Sequence, residues 1–215
     1  MASSFQYDVD FIRRRYNRLA TIYPLFELAF LLPPGIRAKA VARLELQPGD
    51  SVLEVGCGTG RNLKHLVKAV GPSGAVYGVD YSEGMLAKAR ERCARHQWSN
   101  VHLVRQDAAQ MTLPGPVDGV LFSLSYAVMP APRKALARAW EYLRPGKFAA
   151  IMDAKLNGVP LGRFMRLPVI WVSKASVLGD PDVLPWEDLK MSTADVEMEE
   201  INWGTYYICR GRKHE

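Results

Sequence analysis

The sequence contains few cysteines and no pattern of metal-binding residues. Its three cysteines are Cys57, Cys93 and Cys209, and neither they nor the four histidines form a zinc-ligand pattern. An odd number of isolated cysteines also does not favour the disulfide framework of a small secreted domain. We therefore expect no metal site and no disulfide, and a protein of the reducing cytoplasm.

The sequence also lacks a long apolar run and a secretion signal. Residues 19–32 form the most apolar stretch, but Pro24 and Glu27 interrupt it. The stretch is also shorter than the roughly 20 residues that a membrane-spanning helix needs. The N-terminal residues do not have the basic start, apolar centre and small-residue cleavage site of a signal peptide. We expect a protein that does not cross a membrane.

Basic charge is concentrated near the N-terminus. The formal net charge is +6, and residues 11–43 contain seven basic groups and one acidic group beside the apolar stretch. An anionic membrane surface attracts such a segment by about 1 kcal/mol per Lys or Arg, and a solvated helix face is the alternative explanation. RNA-binding and helix-turn-helix patterns are missing, so nucleic acid is not an expected partner. We predict peripheral contact between the N-terminal helices and the inner face of the membrane.

Apolar residues near the N-terminus recur at helical spacing. Four of them follow one another at steps of four, three and four positions: Ile12, Tyr16, Leu19 and Tyr23. This spacing places them on one face of a helix. A further helix is predicted over 36–44, so that residues 1–44 would form a helical lid. In that lid Tyr16 and Tyr23 either face an acceptor or pack on the sheet.

After residue 45 the sequence alternates between β-prone and helical segments. The predicted strands are 51–55, 75–79, 101–105, 119–122 and 148–152, then an antiparallel pair at 195–200 and 204–210. The predicted helices are 61–70, 82–96 and 133–143. This order predicts an α/β fold with a doubly wound (Rossmann-like), mostly parallel seven-stranded sheet and an antiparallel C-terminal edge. Residues 45–215 would be one domain, with an apolar helical piece over 161–177 and an acidic, proline-broken stretch over 179–188.

A glycine-spaced turn follows the first predicted strand directly. Gly56, Gly58 and Gly60 lie between strand and helix, where a backbone without Cβ atoms lets a nucleotide-like ligand approach a helix N-terminus. The dinucleotide fingerprint is G-x-G-x-x-G, but this turn reads G-x-G-x-G and continues with Arg61. The turn predicts a nucleotide-like ligand, and a nicotinamide oxidoreductase remains one alternative.

Acidic residues follow the next two predicted strands. Asp80 lies 20 positions beyond Gly60, where a carboxylate can accept both hydroxyls of a ribose. Asp107 lies just past the third strand and is placed to accept a hydrogen bond from the exocyclic amine of adenine. The two acids are present, but the third glycine of the dinucleotide fingerprint, which serves the phosphates, is missing from its position. This combination favours an adenosyl ligand that lacks phosphates.

These motifs together resemble those of the class I S-adenosylmethionine-dependent methyltransferases. The matching runs are Val52-Leu-Glu-Val-Gly-Cys-Gly-Thr-Gly60, Tyr77-Gly-Val-Asp80 and Gln106-Asp-Ala108. The resemblance implies that S-adenosylmethionine is the cofactor. It also implies which residues contact each part of the cofactor. The methionine part would contact Glu54, Gly56, Cys57, Gly58, Thr59 and Gly60, and the ribose would contact Asp80. The adenine would contact Tyr81, Met85, Gln106, Asp107 and Ala108, and the methyl group would lie near Phe122, Ser123 and Leu124.

The flanking segments resemble a narrower group, the bacterial lipid N-methyltransferases. The similar runs are 15–23, 60–63 and 123–130. This resemblance implies the amine head group of a membrane phospholipid as the acceptor. Quinone C-methyltransferases share the Ala20-x-x-Tyr23 pattern, so a soluble small-molecule or quinone O- or C-methyltransferase is the first alternative. A non-catalytic cofactor-binding module is the alternative from another class.

Methyl transfer from a sulfonium needs an oriented acceptor and no nucleophilic side chain of the protein. An alkylated amine is a cation, which the rings of Tyr16, Tyr23 or Tyr126 could stabilise by roughly 0.5 to 2 kcal/mol each. Asp153, at the end of the fifth predicted strand, could contact the amine or cap the next turn. These four residues are the predicted acceptor-positioning residues.

Overall fold

The computed structural model describes residues 32–154 and 183–214. Tyr16, Tyr23, the helix predicted around residues 12–23 and the helical piece predicted over 161–177 lie outside the described residues, so the predicted lid stays a prediction. Within the two described ranges, no helix combines the length and the apolar character that crossing a bilayer requires.

These two ranges form seven strands and five helices. The strands are β1 (Ser51–Val55), β2 (Ala75–Asp80), β3 (Val101–Arg105), β4 (Val117–Ser123), β5 (Leu143–Ala154), β6 (Val196–Ile201) and β7 (Tyr206–Arg212). The helices are α1 (Ile36–Ala42), α2 (Leu63–Val70), α3 (Glu83–His96), α4 (Pro132–Tyr142) and α5 (Pro185–Lys190), with 3₁₀ turns at Ala108–Gln110 and Tyr126–Val128. The predicted alternation of strands and helices is confirmed.

The strands form one sheet in the order β3-β2-β1-β4-β5-β7-β6. The five strands from β1 to β5 are parallel, and β7 and β6 extend the sheet in antiparallel orientation. The predicted fold class, a mostly parallel seven-stranded sheet with an antiparallel C-terminal edge, is confirmed. The chain moves outward from β1 to β3 and then returns to β4, so the crevice beyond the carboxyl ends of β1 and β4 is where such a sheet binds ligands.

Apolar side chains on both faces of the central strands hold the sheet between its helices. Every residue of β4 is buried, as expected for a parallel strand that is covered on both faces. Alternate residues of β1 enter two different hydrophobic clusters, because successive side chains of a strand point to opposite faces. Leu53 packs with the buried side chains of α4, whereas Val52 packs with those of α1 and α2.

Helix α3 shows how local signals set the limits of these elements. Ser82 caps its N-terminus, with the side-chain oxygen accepting a hydrogen bond from the backbone N–H of Met85 at 3.2 Å. Glu83 lies in the first turn and Arg95 in the last, where each charge suits the helix dipole. The helix ends at Gln97, which is in the left-handed conformation with φ of 55°.

The acidic stretch over 179–188 was predicted to be interrupted by its prolines, but its last part belongs to helix α5. Pro185 is the first residue of this helix, the position at which the missing N–H of proline costs nothing. The sequence prediction was therefore wrong for this part of the segment, since it treated the proline as a breaker instead of a helix start. Leu189 of this helix is fully buried in the main cluster.

Candidate functional site

A cavity lies at the carboxyl ends of β1, β2 and β4, which is the crevice that the strand order predicts. The segments that follow β1, β2, β3 and β4 all contribute to its lining, and α1 contributes Arg37. The predicted residues that line it are Glu54, Gly56, Cys57, Gly58, Thr59, Asp80, Tyr81, Met85, Gln106, Asp107, Ala108, Ser123 and Leu124. The sequence motifs are thus brought together in space around one cavity.

The glycine turn after β1 is attached to the end of β2 by backbone hydrogen bonds. The N–H groups of Gly56 and Cys57 donate to the carbonyl oxygen of Val79 at 2.8 and 3.1 Å. The φ angles of Gly56, Gly58 and Gly60 are 70°, 55° and 75°, a region that other residues rarely adopt. A Cβ atom on Gly58 would meet no protein atom within 4 Å. The turn therefore leaves open space beside its backbone.

Asp80 connects that turn to helix α3. One carboxylate oxygen accepts from the N–H of Gly58 at 2.8 Å, and the other accepts from the N–H of Ser82 at 2.8 Å. Burial raises the pKa of Asp80 above its usual value, although these N–H groups act in the opposite direction. The two backbone donors therefore fix a carboxylate that also lines the cavity.

Glu54 is a buried carboxyl group in which only one of the two oxygens is hydrogen-bonded. Its side chain is almost fully buried, and one oxygen accepts from Asn62 Nδ2 at 2.5 Å. Among the described residues the other oxygen, Oε2, has no hydrogen-bond partner. Burial raises the pKa of Glu54 to about 7, despite the Asn62 hydrogen bond and the nearby charge of Arg37. An unsatisfied buried acceptor is costly, so this oxygen is suited to a ligand that donates hydrogen bonds.

Arg37 extends this network from a helix that precedes all the sequence motifs. Its Nη1 donates to Asn62 Oδ1 at 3.1 Å and to Ser123 Oγ at 3.2 Å. The Arg37 side chain therefore joins Asn62, at the start of α2, to Ser123, at the end of β4. No site role was predicted from the sequence for Arg37 or Asn62. Only Asn62 had a signal, its position two residues after the last glycine of the turn.

The segment after β3 forms the far wall of the cavity. Asp107 caps the 3₁₀ turn, and its Oδ1 accepts from the N–H of Ala109 at 2.9 Å. The side chain of Gln106 accepts from the N–H of Thr112 at 2.6 Å, which fixes the shape of this loop. The guanidinium of Arg105 lies 5.8 Å from the ring centre of Tyr81. The residues predicted to surround an adenine are therefore held in place by local contacts.

Comparison with known proteins assigns the domain. The family model described as "Methyltransferase domain" matches residues 52–146, which contain the glycine turn, Asp80 and Asp107. The chain carries a class I S-adenosylmethionine-dependent methyltransferase domain. A curated demethylmenaquinone methyltransferase of Desulfitobacterium hafniense is 29% identical over 155 residues, which are 70% of this chain and 61% of that protein. The chain thus spans about three fifths of the length of this relative.

Solved structures agree with the fold of this methyltransferase domain. A methyltransferase from Thermotoga maritima, described as a possible histamine N-methyltransferase, has a TM-score of 0.69 at 19% identity and covers 94% of this chain and 99% of its own. An S-adenosylmethionine-dependent methyltransferase from Aquifex aeolicus has a TM-score of 0.60 at 23% identity and covers 95% of this chain and 97% of its own. At these identities the likeness concerns the fold.

The residues of the cavity fit S-adenosylmethionine, the cofactor of this domain. The unsatisfied oxygen of Glu54 is buried at one end, where it suits the cofactor's ammonium group. The open space beside Gly58 accommodates a ligand close to the backbone. Asp80 and Asp107 line the cavity further along, where they offer carboxylate oxygens. This order of groups matches an amino acid, a sugar and a base along one ligand.

Two predicted cofactor residues of the methyltransferase domain do not line the cavity. Gly60 is turned toward the helices, because a Cβ atom there would lie 2.6 Å from Leu63 Cδ1 and 3.2 Å from Ala89 Cβ. Phe122 is fully buried in the core, where its ring packs edge-on against Tyr126 at 5.3 Å. In the structure Gly60 allows the turn to pack on α2 and α3, and Phe122 supports the wall from behind. Their contacts with the cofactor stay predictions.

Tyr126 also points away from the methyltransferase cavity. Its hydroxyl donates to Asp188 Oδ2 at 3.0 Å, and Asp188 Oδ1 accepts from Arg133 Nε at 2.7 Å. Burial and the Asp188 carboxylate raise the pKa of the Tyr126 phenol. The predicted role of its ring as a cation-binding surface is therefore corrected. Tyr126 instead connects helix α5 to the loop that lines the cavity.

Asp153 lies beneath the same loop. Its side chain is 8% exposed, and its oxygens accept from the N–H groups of Ala154 at 2.9 Å and Ala127 at 3.3 Å. Burial raises the pKa of Asp153 to about 6. Asp153 is not among the residues that line the cavity, and in the structure it caps the 3₁₀ turn. Its contact with an acceptor amine stays a prediction.

An apolar wall follows β4, and of its members only Leu124 was predicted from the sequence as a site residue. Leu124 opens it in a left-handed conformation with φ of 54°, a strained state that tends to occur at functional sites. The further apolar members of this wall are Val128, Met129, Pro130, Ala131 and Ala135. The methyltransferase cavity therefore has polar groups at the ends of β1 and β2 and an apolar surface at the end of β4.

Neither a metal site nor a reactive thiol is found in the described part of the chain. Residues 32–154 and 183–214 contain no group of three His, Cys, Asp or Glu side chains that could hold a metal ion. Burial and the neighbouring Asp80 and Glu54 raise the pKa of Cys57 well above its usual value. Its thiol is protonated and not activated as a nucleophile.

Proposed function

We propose that this protein transfers the methyl group of S-adenosylmethionine to a lipophilic aromatic acceptor of the quinol class. The apolar wall after β4, formed by Leu124, Val128, Met129 and Pro130, is the observation that carries this proposal. A quinol ring can pack on such a surface, whereas a cationic amine would gain little there. The described side chains predicted to bind an amine, Tyr126 and Asp153, are instead bonded within the protein.

The chain's own residues would bind and orient the cofactor. Glu54 would accept from its ammonium group, Asp80 from its ribose hydroxyls and Asp107 from the amine of its adenine. When bound, S-adenosylmethionine supplies an electrophilic methyl group on a sulfonium centre. The protein would contribute positioning and exclusion of water, because the acceptor itself is the nucleophile. The new bond of the acceptor to the methyl group would replace the methyl–sulfur bond, and the proton that the quinol loses would pass to solvent. The apolar wall supports both roles, since it provides a surface without competing hydrogen-bond groups.

The curated relatives support the same acceptor class. Proteins named demethylmenaquinone methyltransferase from Desulfitobacterium and Listeria are 29% and 27% identical to this chain. Their names describe their own substrates, and the matched regions are 61% and 60% of their lengths. We extend the quinone chemistry to this protein because the wall of its cavity is compatible with it.

The phospholipid amine predicted from the sequence is the second candidate. It is favoured by the basic residues in 11–43, which lie beside the most apolar stretch and would attract an anionic membrane. A primary amine must lose its proton before it can attack a methyl group. Among the residues that the structure describes, Asp153 is the carboxylate predicted for that acceptor, and it faces the 3₁₀ turn.

An acceptor panel tests the proposed function. The purified protein would be incubated with methyl-labelled S-adenosylmethionine and, separately, a short-chain demethylated naphthoquinol, simple phenols, phosphatidylethanolamine vesicles and small amines. We expect label on the naphthoquinol at a rate at least tenfold above that on any amine. Faster labelling of phosphatidylethanolamine would instead establish the second candidate. Tight cofactor binding without turnover of any acceptor would indicate a non-catalytic binding module, and tighter binding of NAD would indicate an oxidoreductase.

Binding of the cofactor should release a proton from Glu54. The pKa of this carboxyl group is raised to about 7 in the free protein, so near pH 6 the group is mostly protonated. The cofactor's ammonium favours the ionised form, so binding should lower the pKa and release up to about one proton. Calorimetric titration with S-adenosylhomocysteine in buffers of different ionisation enthalpy measures that number. We expect release near pH 6 and almost none near pH 8.5.

The variant Glu54→Gln provides the control, since it cannot release this proton and should bind without the pH dependence. Proton release that is unchanged in the variant would assign it to another group.

The stability of the free protein provides an independent check on the direction of the Glu54 pKa shift. Unfolded glutamate ionises near 4.5, whereas folded Glu54 ionises near 7. The contribution of this residue to stability is therefore present below about pH 4.5 and lost as the pH rises through about 7.

A further inference from the structure

A tryptophan occupies the tip of the turn between β6 and β7 and is almost completely exposed. Trp203 is 97% exposed, compared with 76% for Met191 and 41% or less for the other exposed large apolar side chains in the described residues. Asn202, Trp203 and Gly204 have φ angles of 54°, 58° and 81°. Such a run of left-handed residues makes a tight turn between two strands, so the indole projects from the end of the hairpin.

The local structure gives no reason for this residue type. A tight hairpin turn with positive φ angles favours glycine or asparagine, and a left-handed conformation costs a residue such as tryptophan about 1 to 2 kcal/mol. At 97% exposure the Trp203 side chain recovers no packing energy that could offset this cost. An external apolar environment would supply that energy.

The turn lies at the same edge of the sheet as the cofactor cavity. Tyr206, the first residue of β7, pairs with Ala154, the last residue of β5, and Ile201 pairs with Tyr206. The carboxyl end of β5 and the β6–β7 turn are therefore neighbours. Adjacent strands lie about 4.8 Å apart, so the turn lies roughly 10 to 15 Å along this edge from β4 and its apolar wall.

We propose that Trp203 inserts into the interfacial region of a lipid bilayer and holds this edge of the sheet against the membrane that contains the acceptor. The inference rests on the proposed function insofar as the acceptor is lipophilic. Tryptophan is suited to this position, because its ring is apolar and its N–H remains hydrogen-bonded at the headgroup level. The cavity would then open toward the phase in which a lipophilic acceptor is dissolved.

Charge at this edge is compatible with an anionic bilayer. Two of the three acidic side chains of β6 form ion pairs, Glu199 with Lys39 and Arg43, and Glu197 with Arg210. The chain that continues from Ala154 has four basic and two acidic residues over 155–182. Most of the negative charge on β6 is therefore compensated, and the sequence that continues from β5 is basic, which an anionic lipid surface attracts.

A protein partner fits these observations less well than a bilayer. A stable protein interface buries about 800 Å² on each side, which requires several neighbouring apolar side chains. Trp203 is instead flanked by Asn202, Gly204 and Thr205, and exposed Met191 lies beyond the opposite end of β6. A single amphipathic ring at a protruding tip can enter the headgroup region without such a surface.

Vesicle flotation tests the proposal directly. The full chain, Trp203→Ala and Met191→Ala would be mixed with phosphatidylcholine vesicles that contain a minority of phosphatidylglycerol. Met191→Ala is the matched control, because it also removes an exposed apolar side chain. We expect the partition coefficient of Trp203→Ala to fall roughly tenfold and that of Met191→Ala to stay within twofold. Absence of vesicle binding by the full chain, or equal binding by all three proteins, would overturn the proposal.

Fluorescence and turnover add two readouts that separate this inference from the proposed function. Brominated lipids should quench part of the tryptophan emission of the full chain, and that part should be missing in Trp203→Phe. Trp203→Ala should methylate a vesicle-embedded naphthoquinol roughly tenfold more slowly, but a detergent-dissolved one at the unchanged rate. If no acceptor is methylated, the proposed function fails while flotation and quenching still decide the membrane contact. Unquenched emission from Trp203 would count against insertion.

Discussion

Replacing Asp80 with asparagine should lower the affinity for S-adenosylhomocysteine by at least about 100-fold. The two carboxylate oxygens accept from the N–H groups of Gly58 and Ser82, both at 2.8 Å. An asparagine amide has one acceptor oxygen, so its NH₂ group would face one of these donors. The turn that presents Asp80 to the ribose is thereby disturbed, and the loss of charge-assisted hydrogen bonds from the two ribose hydroxyls accounts for roughly 3 kcal/mol, which is about 100-fold in affinity.

Asp118→Asn is the matched control for this experiment. Asp118 is also buried, accepts from the N–H of Ser51 at 2.9 Å and pairs with Arg144. It lies at the amino-terminal edge of the sheet, away from the cavity. Both variants should lower the free energy of unfolding by about 1 to 3 kcal/mol, but calorimetric titration should show weakened binding in Asp80→Asn alone. Equal affinities in the two variants would contradict the assignment of Asp80.

The fold and most of the residues that line the cavity could be predicted because local sequence determines them. A strand covered on both faces must be continuously apolar, and a turn with three left-handed positions requires glycine. These signals place Asp80 and Asp107 at strand ends. In a parallel sheet all such ends meet at one edge. The positions of the predicted strands followed from the same reasoning, and the structure has each of them in the predicted order.

The residues that sequence reasoning missed act through contacts between distant parts of the chain. Arg37 donates a hydrogen bond to Ser123, which is 86 positions away in the sequence. Asp188 accepts a hydrogen bond from the hydroxyl of Tyr126, which is 62 positions away. No local pattern marks either pair. Asp188 was also obscured by its helix, which begins at Pro185 and was therefore interpreted as broken.

The assignment of side chains at the end of β4 illustrates a different limit. The sequence offered Phe122, Ser123 and Leu124 together as residues near the methyl group, yet successive residues of a strand point to opposite faces. All of β4 is buried, so no alternation of apolar and polar residues shows which face is which. Phe122 consequently lies in the core, whereas Ser123 lines the cavity and contacts Arg37.

Replacing Gly56 with alanine should both destabilise the protein and prevent cofactor binding. The added Cβ atom would lie 2.5 Å from Ser125 Cβ and 3.0 Å from Ser125 Oγ. Ser125 cannot easily move, because it is buried and its hydroxyl donates to the carbonyl oxygen of Val55 at 2.7 Å. The left-handed φ of 70° adds conformational strain. Clash and strain together should lower the free energy of unfolding by roughly 3 kcal/mol.

Two other glycines separate the contributions of strain, clash and ligand contact. Gly146 has a φ of 79° with open space around it and lies away from the cavity, so Gly146→Ala should show strain alone, about 1 to 2 kcal/mol. Gly58→Ala should show similar strain, but its methyl group would enter the cavity. Denaturant unfolding and titration with S-adenosylhomocysteine measure both quantities. We expect Gly58→Ala to lose at least tenfold in affinity at little more than the strain cost, since its Cβ meets ligand instead of protein. If Gly58→Ala bound as tightly as Gly146→Ala, the cofactor would not lie against this turn, and the proposed function would lose its structural basis.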